Sequence, residues 1–425
     1  MRVSPTPLSA ALLAAVAISS ALVGELAALA AVALVVAVAV DARAVRRAPG
    51  VVRDVPHTLS RGVPVALTVA VRTPGAGSVR IRQAVPPDLE LAPREGDGRL
   101  DATLTARRRG RHVLPAVGTR SVGPLRLASW NHRPGDPAEV SVYPDLAAAR
   151  RLALSVRRGQ FREQGISARG PLGLGTDFEL VRDYLPDDDV RQVNWRATAR
   201  LGRPMSNQYR VEQDRDLVLL VDAGRLAAAA LPGSDDEAER PRGTVLDATL
   251  DALAAVALVA DGVGDRCGTI AFDREVRVEL RPRRAGGNVV VRALHDLEPR
   301  LVDSDYEAAF RRVEGSKRAF VLILSDLLEP VAVRSLAEAV PVLARRHAVV
   351  VASPADPALR AMVATAPAGP DDVARIVAAA DVQDAREAAA ARVRAAGAGV
   401  VDAPPGSLAR ACVAAYLRAK SRALL

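Results

Sequence analysis

The sequence predicts an α/β protein built on an open, mostly parallel sheet. A small all-β, sandwich-like domain and an N-terminal transmembrane helical hairpin precede that sheet. Three observations predict this. From Asp216 onward, apolar runs of strand length alternate with helical patterns. Over residues 51–145, short strand-like runs are separated by Gly/Pro turns. Leu8–Val40 is almost wholly apolar. The resulting divisions are 1–48, 49–145, a bridge over 146–214, and 215–425.

As one helix, Leu8–Val40 would run about 50 Å at ~1.5 Å per residue, too long for a hydrocarbon core of roughly 30 Å. Breaking it at Val23-Gly24-Glu25 gives two arms, Leu8–Val23 and Leu26–Val40. Each is short for a span, so local thinning is required. Arg2 precedes the first arm, and Arg43, Arg46 and Arg47 follow the second. The positive-inside rule then places both ends and the soluble domains in the cytoplasm, in a multi-pass protein of the cell membrane. A single anchor helix and a cleaved signal sequence are the competing readings.

In the β region, strands are expected at Val63–Val71, Ser78–Ala84, Arg99–Ala106, Arg111–Val117, Ser121–Ala128 and Val140–Tyr143. Spacing of this kind suggests a sandwich. The bridge holds the densest charged and aromatic stretch of the chain, residues 175–204. Asp187-Asp188-Asp189 is placed to cap a short helix over Val190–Arg200 carrying Trp195. Its charges read either as an ion-pair brace, with Trp195 holding the bridge in place, or as a partner-docking surface.

Beyond the bridge, Leu217–Ala223 is a continuous apolar run of the kind a buried parallel strand shows. Gly268–Phe272, Phe320–Leu324, Ala348–Ala352 and Gly399–Val401 are further strands. Helices are expected at Thr244–Ala260, Val289–Leu297, Tyr306–Val313, Val331–Arg345, Asp371–Ala395 and Leu408–Ala423. Pro232–Gly243 reads as a polar surface insertion.

Residues 175–222 carry a long ordered pattern. It runs through Gly175, Asp177, Phe178, Glu179, Arg182, Asp183, Tyr184, Pro186, Asp188, Asp189, Arg191, Asn194, Trp195, Ala199, Arg200, Glu212 and Asp222. The pattern resembles the signature of the bacterial domain of unknown function 58 family. That resemblance implies a von Willebrand factor A-like, Rossmann-type domain after the bridge. It also implies a protein-interaction module, an adaptor or scaffold working with a MoxR-type AAA+ ATPase. The chain departs from the family pattern at Pro186-Asp187-Asp188-Asp189, where Pro-Gly-Asp-Asp is usual, and at Trp130–Pro137.

Von Willebrand-like domains often hold a divalent cation through Asp-x-Ser-x-Ser, a Thr from a second loop and an Asp from a third, because hard cations prefer oxygen ligands. Here the first loop reads Asp222-Ala223-Gly224-Arg225-Leu226, so both serines are missing. Asp326 remains as a third-loop acid, and Asp303, Ser304 and Asp305 offer second-loop oxygens. Mg²⁺ binding through Asp222 and Asp326 is therefore the alternative reading. The main expectation is no cofactor, with these acids ending their strands, capping backbone and pairing with an Arg.

The main expectation is no enzymatic activity; an uncharacterised enzyme, which would need a nucleophile–base pair converging in a pocket, is the third reading. Gly170–Gly175 lacks the Lys-Ser/Thr ending of a phosphate loop, no Gly-x-Ser-x-Gly elbow occurs, and the five histidines show no metal spacing. The net charge of +9 comes from basic residues spread along the chain; all but Lys317 and Lys420 are Arg. That spread gives no nucleic-acid footprint, so the expected partners are a protein and, through the N-terminal helices, membrane lipid. Cys267 and Cys412 lie in apolar surroundings and read as buried free thiols.

Overall fold

The computed structural model describes residues 2–19, 24–72, 77–163, 166–167, 177–185, 190, 193–210, 215–231, 243–314, 318–326 and 330–421. The chain divides into two compact units, Met1–Val142 and Tyr143–Leu425.

The first unit opens with strand β1 (Arg2–Pro5) and helices α1 (Pro7–Ser19) and α2 (Gly24–Ala44). Antiparallel strands follow: β2 (Val51–Asp54), β3 (Thr58–Ser60), β4 (Val65–Val71), β5 (Ser78–Arg82), β6 (Leu89–Ala92), β7 (Glu95–Asp97), β8 (Arg99–Ala106), β9 (Gly110–Leu114), β10 (Gly118–Val122), β11 (Ala128–His132) and β12 (Ala138–Tyr143). They form sheets ordered β1-β11-β10-β5-β7, β2-β4-β8-β6 and β3-β12-β9. The core follows the period-two rule. In β8, Leu100, Ala102, Leu104 and Ala106 point inward, meeting Leu67, Val69, Ile81, Leu114 and Val140.

At about 1.5 Å per residue, α2, with 21 residues, is long enough to cross a hydrocarbon core, whereas α1, with 13, is not. Among the described residues, one helix, not two, therefore meets the length of a span. Leu26, Leu29, Val32, Val35, Val36 and Val40 all stand exposed along α2.

Both helices are tied to one turn of the β domain. Buried Asp41, in the last turn of α2, accepts the backbone N–H of Leu125 (Oδ1, 2.8 Å), Leu127 (Oδ2, 2.8 Å) and Ala128 (Oδ2, 2.9 Å). Gly123 is required beneath it, because a Cβ there would overlap the Asp41 carboxylate. Thr6, just before α1, donates its hydroxyl to the carbonyls of Arg126 (2.5 Å) and Leu127 (3.2 Å). The turn at 123–127 also corrects the expected strand Ser121–Ala128. The chain breaks at Gly123-Pro124 and pairs with itself as β10 and β11.

The second unit begins with α3 (Leu146–Arg157), β13 (Arg162–Glu163), β14 (Ile166–Ser167), β15 (Asp177–Asp183), α4 (Trp195–Leu201) and β16 (Met205–Arg210). Its main elements are β17 (Asp216–Asp222), α5 (Val245–Val263), β18 (Arg266–Phe272), β19 (Val276–Arg283), α6 (Gly287–Leu294), α7 (Tyr306–Glu314), β20 (Ala319–Leu324), α8 (Pro330–Ala344), β21 (Ala348–Pro354), α9 (Pro357–Ala364), α10 (Pro370–Ala395), β22 (Gly399–Ala403) and α11 (Pro405–Ser421). They build a six-stranded sheet ordered β19-β18-β17-β20-β21-β22, parallel except at edge strand β19.

Every residue of β17 is buried because helices cover both faces. Leu217, Leu219 and Val221 pack into a core with α3, α5, α6 and α11. Val218 and Leu220 face a second core with α7, α8 and α10. α5 starts with a capping box, Thr244 and Asp247 satisfying each other's backbone N–H, and stops at Gly264, whose φ of +82° suits glycine.

Candidate functional site at the carboxyl ends of the strands

Parallel strands leave their carboxyl ends on one edge, and three buried acids line it here. Asp273 follows β18, Asp222 ends β17, and Asp326 follows β20. These strands are neighbours in the order β18-β17-β20. An isolated carboxylate in such surroundings is costly, so each must be satisfied locally.

The two outer acids meet arginines. Asp273 Oδ2 lies 3.6 Å from Arg277 and from Arg300. Asp326 pairs with Arg386 of α10 (2.9 Å) and accepts the Ser353 hydroxyl (3.2 Å). Arg386 also donates to Asp402 (2.9 Å), Ser353 Oγ (2.8 Å) and the Pro354 carbonyl (2.9 Å). One guanidinium thus fastens α10 to the ends of three strands.

Asp222, in the middle, is held by four other donors. Its Oδ1 accepts the Gly224 N–H (2.9 Å) and the Ser304 hydroxyl (2.5 Å). Its Oδ2 accepts the hydroxyls of Tyr306 (2.5 Å) and Ser325 (2.8 Å). Burial and the Asp222 charge push the Tyr306 phenol well above its ordinary range, so Tyr306 stays a donor. The Arg expected beside Asp222 pairs elsewhere: Arg225 binds Asp303.

Gly224 stands where the cation-binding pattern has its first serine. A Cβ there would overlap Ser304 Oγ and lie 2.8 Å from the Val302 carbonyl. The 302–305 loop therefore fills that space, and Ser304 supplies from another segment the hydroxyl that position 224 lacks. Beside this loop a cleft of about 750 Å³ opens between α7 and α8, lined by Asp303, Asp305, Phe310, Arg311, Glu338 and Val342.

The bridge signature forms a separate arm. Its strands β15 and β16 pair antiparallel, Asp177 opposite Arg210, Arg182 opposite Ser206 and Asp183 opposite Met205, with Glu179 at a bulge. Arg182 donates to the Asp183 carbonyl (2.9 Å), Asp183 pairs with Arg203 (3.2 Å), and the Tyr184 N–H bonds Pro204 (3.0 Å). The short helix starts later than expected. Asn194 is its N-cap, its side chain accepting the Ala197 N–H at 2.9 Å, so α4 covers Trp195–Leu201. Trp195 is 70% exposed and Arg200 is exposed, so Trp195 holds nothing in a core. Gly170–Gly175, Pro186–Asp189, Arg191, Glu212 and the insertion at 232–242 lie outside the described residues.

Arg386 and Tyr306 are the site residues that sequence reasoning missed. Ser304 was noted only as a source of oxygens. Arg386 is one of four arginines in an alanine-rich helix and carries no local signal.

Fold and site together define a class: a mixed α/β protein with an apolar N-terminal helix of spanning length and a strand-end edge where Asp222 and Asp326 are hydrogen-bonded internally and Asp273 is faced by two arginines. The family model described as "Protein of unknown function DUF58" matches residues 180–397, and the chain belongs to that family. Uncharacterized protein Rv1480 of Mycobacterium tuberculosis and uncharacterized protein Mb1516 of Mycobacterium bovis are each 29% identical over 226 residues. These alignments cover 50% of this chain and 66% of the relatives' own length, just under two thirds. Among solved structures, the PilB minor pilin from Streptococcus sanguinis aligns over 82% of this chain and 89% of its own, at 8% identity and a TM-score of 0.31.

Proposed function

We propose that this protein is a membrane-anchored, non-enzymatic adaptor whose α/β unit is a von Willebrand factor A-like domain. In this reading the unit recognises a partner protein at its strand ends without a metal. The observation that carries it is the Asp222 carboxylate, whose two oxygens are filled by four protein donors. Asp326 is likewise neutralised by Arg386. A sheet with its first strand, β17, near the centre and one antiparallel edge strand supports the domain assignment. The acidic and apolar cleft beside Asp303 and Glu338 is the docking surface we favour. The partner is a MoxR-type AAA+ ATPase, as the family resemblance implies. The helical pair enters the cell membrane as a hairpin, multi-pass, with the bilayer thinned over α1 and the soluble units cytoplasmic.

A second reading, a Mg²⁺-dependent ligand-binding module, has one observation in its favour. Asp222 is surrounded by hydroxyl oxygens rather than by arginine, a donor set that suits a hard cation. The cation would have to displace those bonds.

The test is binding of a purified MoxR-type ATPase to the nanodisc-embedded full chain. Binding that persists in EDTA and is lost in the Asp303→Arg/Glu338→Arg double variant supports the adaptor. Absence of binding, or binding only with Mg²⁺, counts against it.

A further inference from the structure

We propose that the turn Pro124–Arg126 of the β domain is a second membrane contact, reading the anionic headgroups of the leaflet that α2 leaves. The inference rests on α2 spanning a bilayer. It starts from the Asp41 joint. Asp41 directly follows Val40, the last exposed large apolar side chain of α2. A buried carboxylate at that depth is tolerable only when fully hydrogen-bonded, and three backbone N–H groups of the turn supply this.

The bonds have a geometric consequence. Holding Leu125 N 2.8 Å from Asp41 fixes the turn at the level where the apolar surface of α2 ends. Thr6 holds the same turn to the start of α1, so both helix ends share it. The turn then presents Leu125, 53% exposed, and exposed Arg126, whose φ of +60° is imposed by this tight geometry. Arg43, Arg46 and Arg47 stand exposed just beyond Asp41. Four cations around one apolar tip, at the water boundary of a membrane helix, match an anionic lipid surface. Arginines pair with phosphate, and an apolar side chain seats among the headgroups. A protein partner would have to share this level with lipid.

The experiment uses the full chain in nanodiscs. Cys267 and Cys412 are buried, so an introduced cysteine can be labelled selectively. Leu125→Cys carries an environment-sensitive fluorophore, and Val32→Cys, at an exposed mid-helix position, reports the span itself. Both sites are exposed, so the fold tolerates them. In anionic discs the Leu125→Cys label is expected to shift blue and to be quenched by headgroup-level nitroxide lipid. Arg126→Gln and Arg43→Gln should each weaken that contact roughly fivefold, and zwitterionic discs should reproduce the loss. A Val32→Cys label quenched by deep nitroxide, beside a Leu125→Cys label reached only by aqueous iodide, overturns the proposal and leaves the span standing. Shielding that ignores lipid charge but rises with copies per disc assigns the turn to a second copy instead. A Val32→Cys label unreachable by deep nitroxide refutes the span.

Discussion

Ser304 Oγ donates to Asp222 Oδ1 at 2.5 Å across 82 residues of sequence, filling the place a serine at position 224 would occupy. The contact makes the strand-end edge self-contained. Replacing Ser304 by Ala leaves one Asp222 oxygen short of a donor in a buried setting. The loss should be about 1–3 kcal/mol of unfolding free energy, read as a lower urea midpoint. Tyr306→Phe should cost a similar amount. An unchanged midpoint in both would remove these hydroxyls from the account.

Arg386 is the larger lever. Its loss takes the arginine from buried Asp326 and leaves Asp402 with Arg360 at 3.5 Å; it now binds both acids at 2.9 Å. Breaking a buried pair from one side costs about 3–5 kcal/mol, so Arg386→Met should unfold far earlier in urea than the native chain. Arg386→Met with Asp326→Leu should recover part of the loss. A single variant as stable as the native protein would contradict the clamp.

Trp195→Ala should leave the melting curve within about 0.5 kcal/mol of native, as surface substitutions usually do. The sequence suggested a bracing tryptophan, but its 70% exposure reverses that expectation. A large drop in melting temperature would restore the brace.

Stability should fall at alkaline pH. Burial raises the Cys412 thiol from 9.0 to about 12 and raises the Cys267 thiol further. Tyr306 and Tyr416 are held well above 10.0, chiefly by burial. Each keeps its proton in the folded state at a pH where the unfolded chain has released it. Their contribution is complete below about pH 9 and shrinks as pH rises through the unfolded values. Lys420, lowered by burial against the opposing pull of Asp265, has the opposite slope, but it is one group against four. Urea midpoints at pH 8 and pH 10.5 should show a clear decline; a flat or rising midpoint would contradict it.

Much of the fold was legible where burial is symmetric. Leu217–Ala223 reads as a strand because both faces are covered, and β17 occupies nearly that range. Elements without a buried face gave no such pattern. The edge strand Val276–Arg283 is Arg-rich and half exposed, and α9 has no buried residue. Asp222 and Asp326 were legible as acids ending apolar runs. Ser304 was legible as a second-loop oxygen but not as a donor to Asp222, and Arg386 was not legible at all, since it arrives from a helix 60 residues beyond Asp326. Asp41 was passed over because a lone acid near the end of an apolar helix looks like a flank. Its meaning depends on a turn that lies more than 80 residues later in the chain.

The central claim is that Asp222 and Asp326 are satisfied by the protein itself and need no cation. Calorimetric titration of Mg²⁺ into the nanodisc-embedded full chain tests it most directly, with Gly224→Ser alongside. The account predicts no saturable heat and no rise in melting temperature for either, with Gly224→Ser less stable because its Cβ meets the Val302 carbonyl. A one-site isotherm for the native chain, abolished by Asp222→Asn, would contradict it.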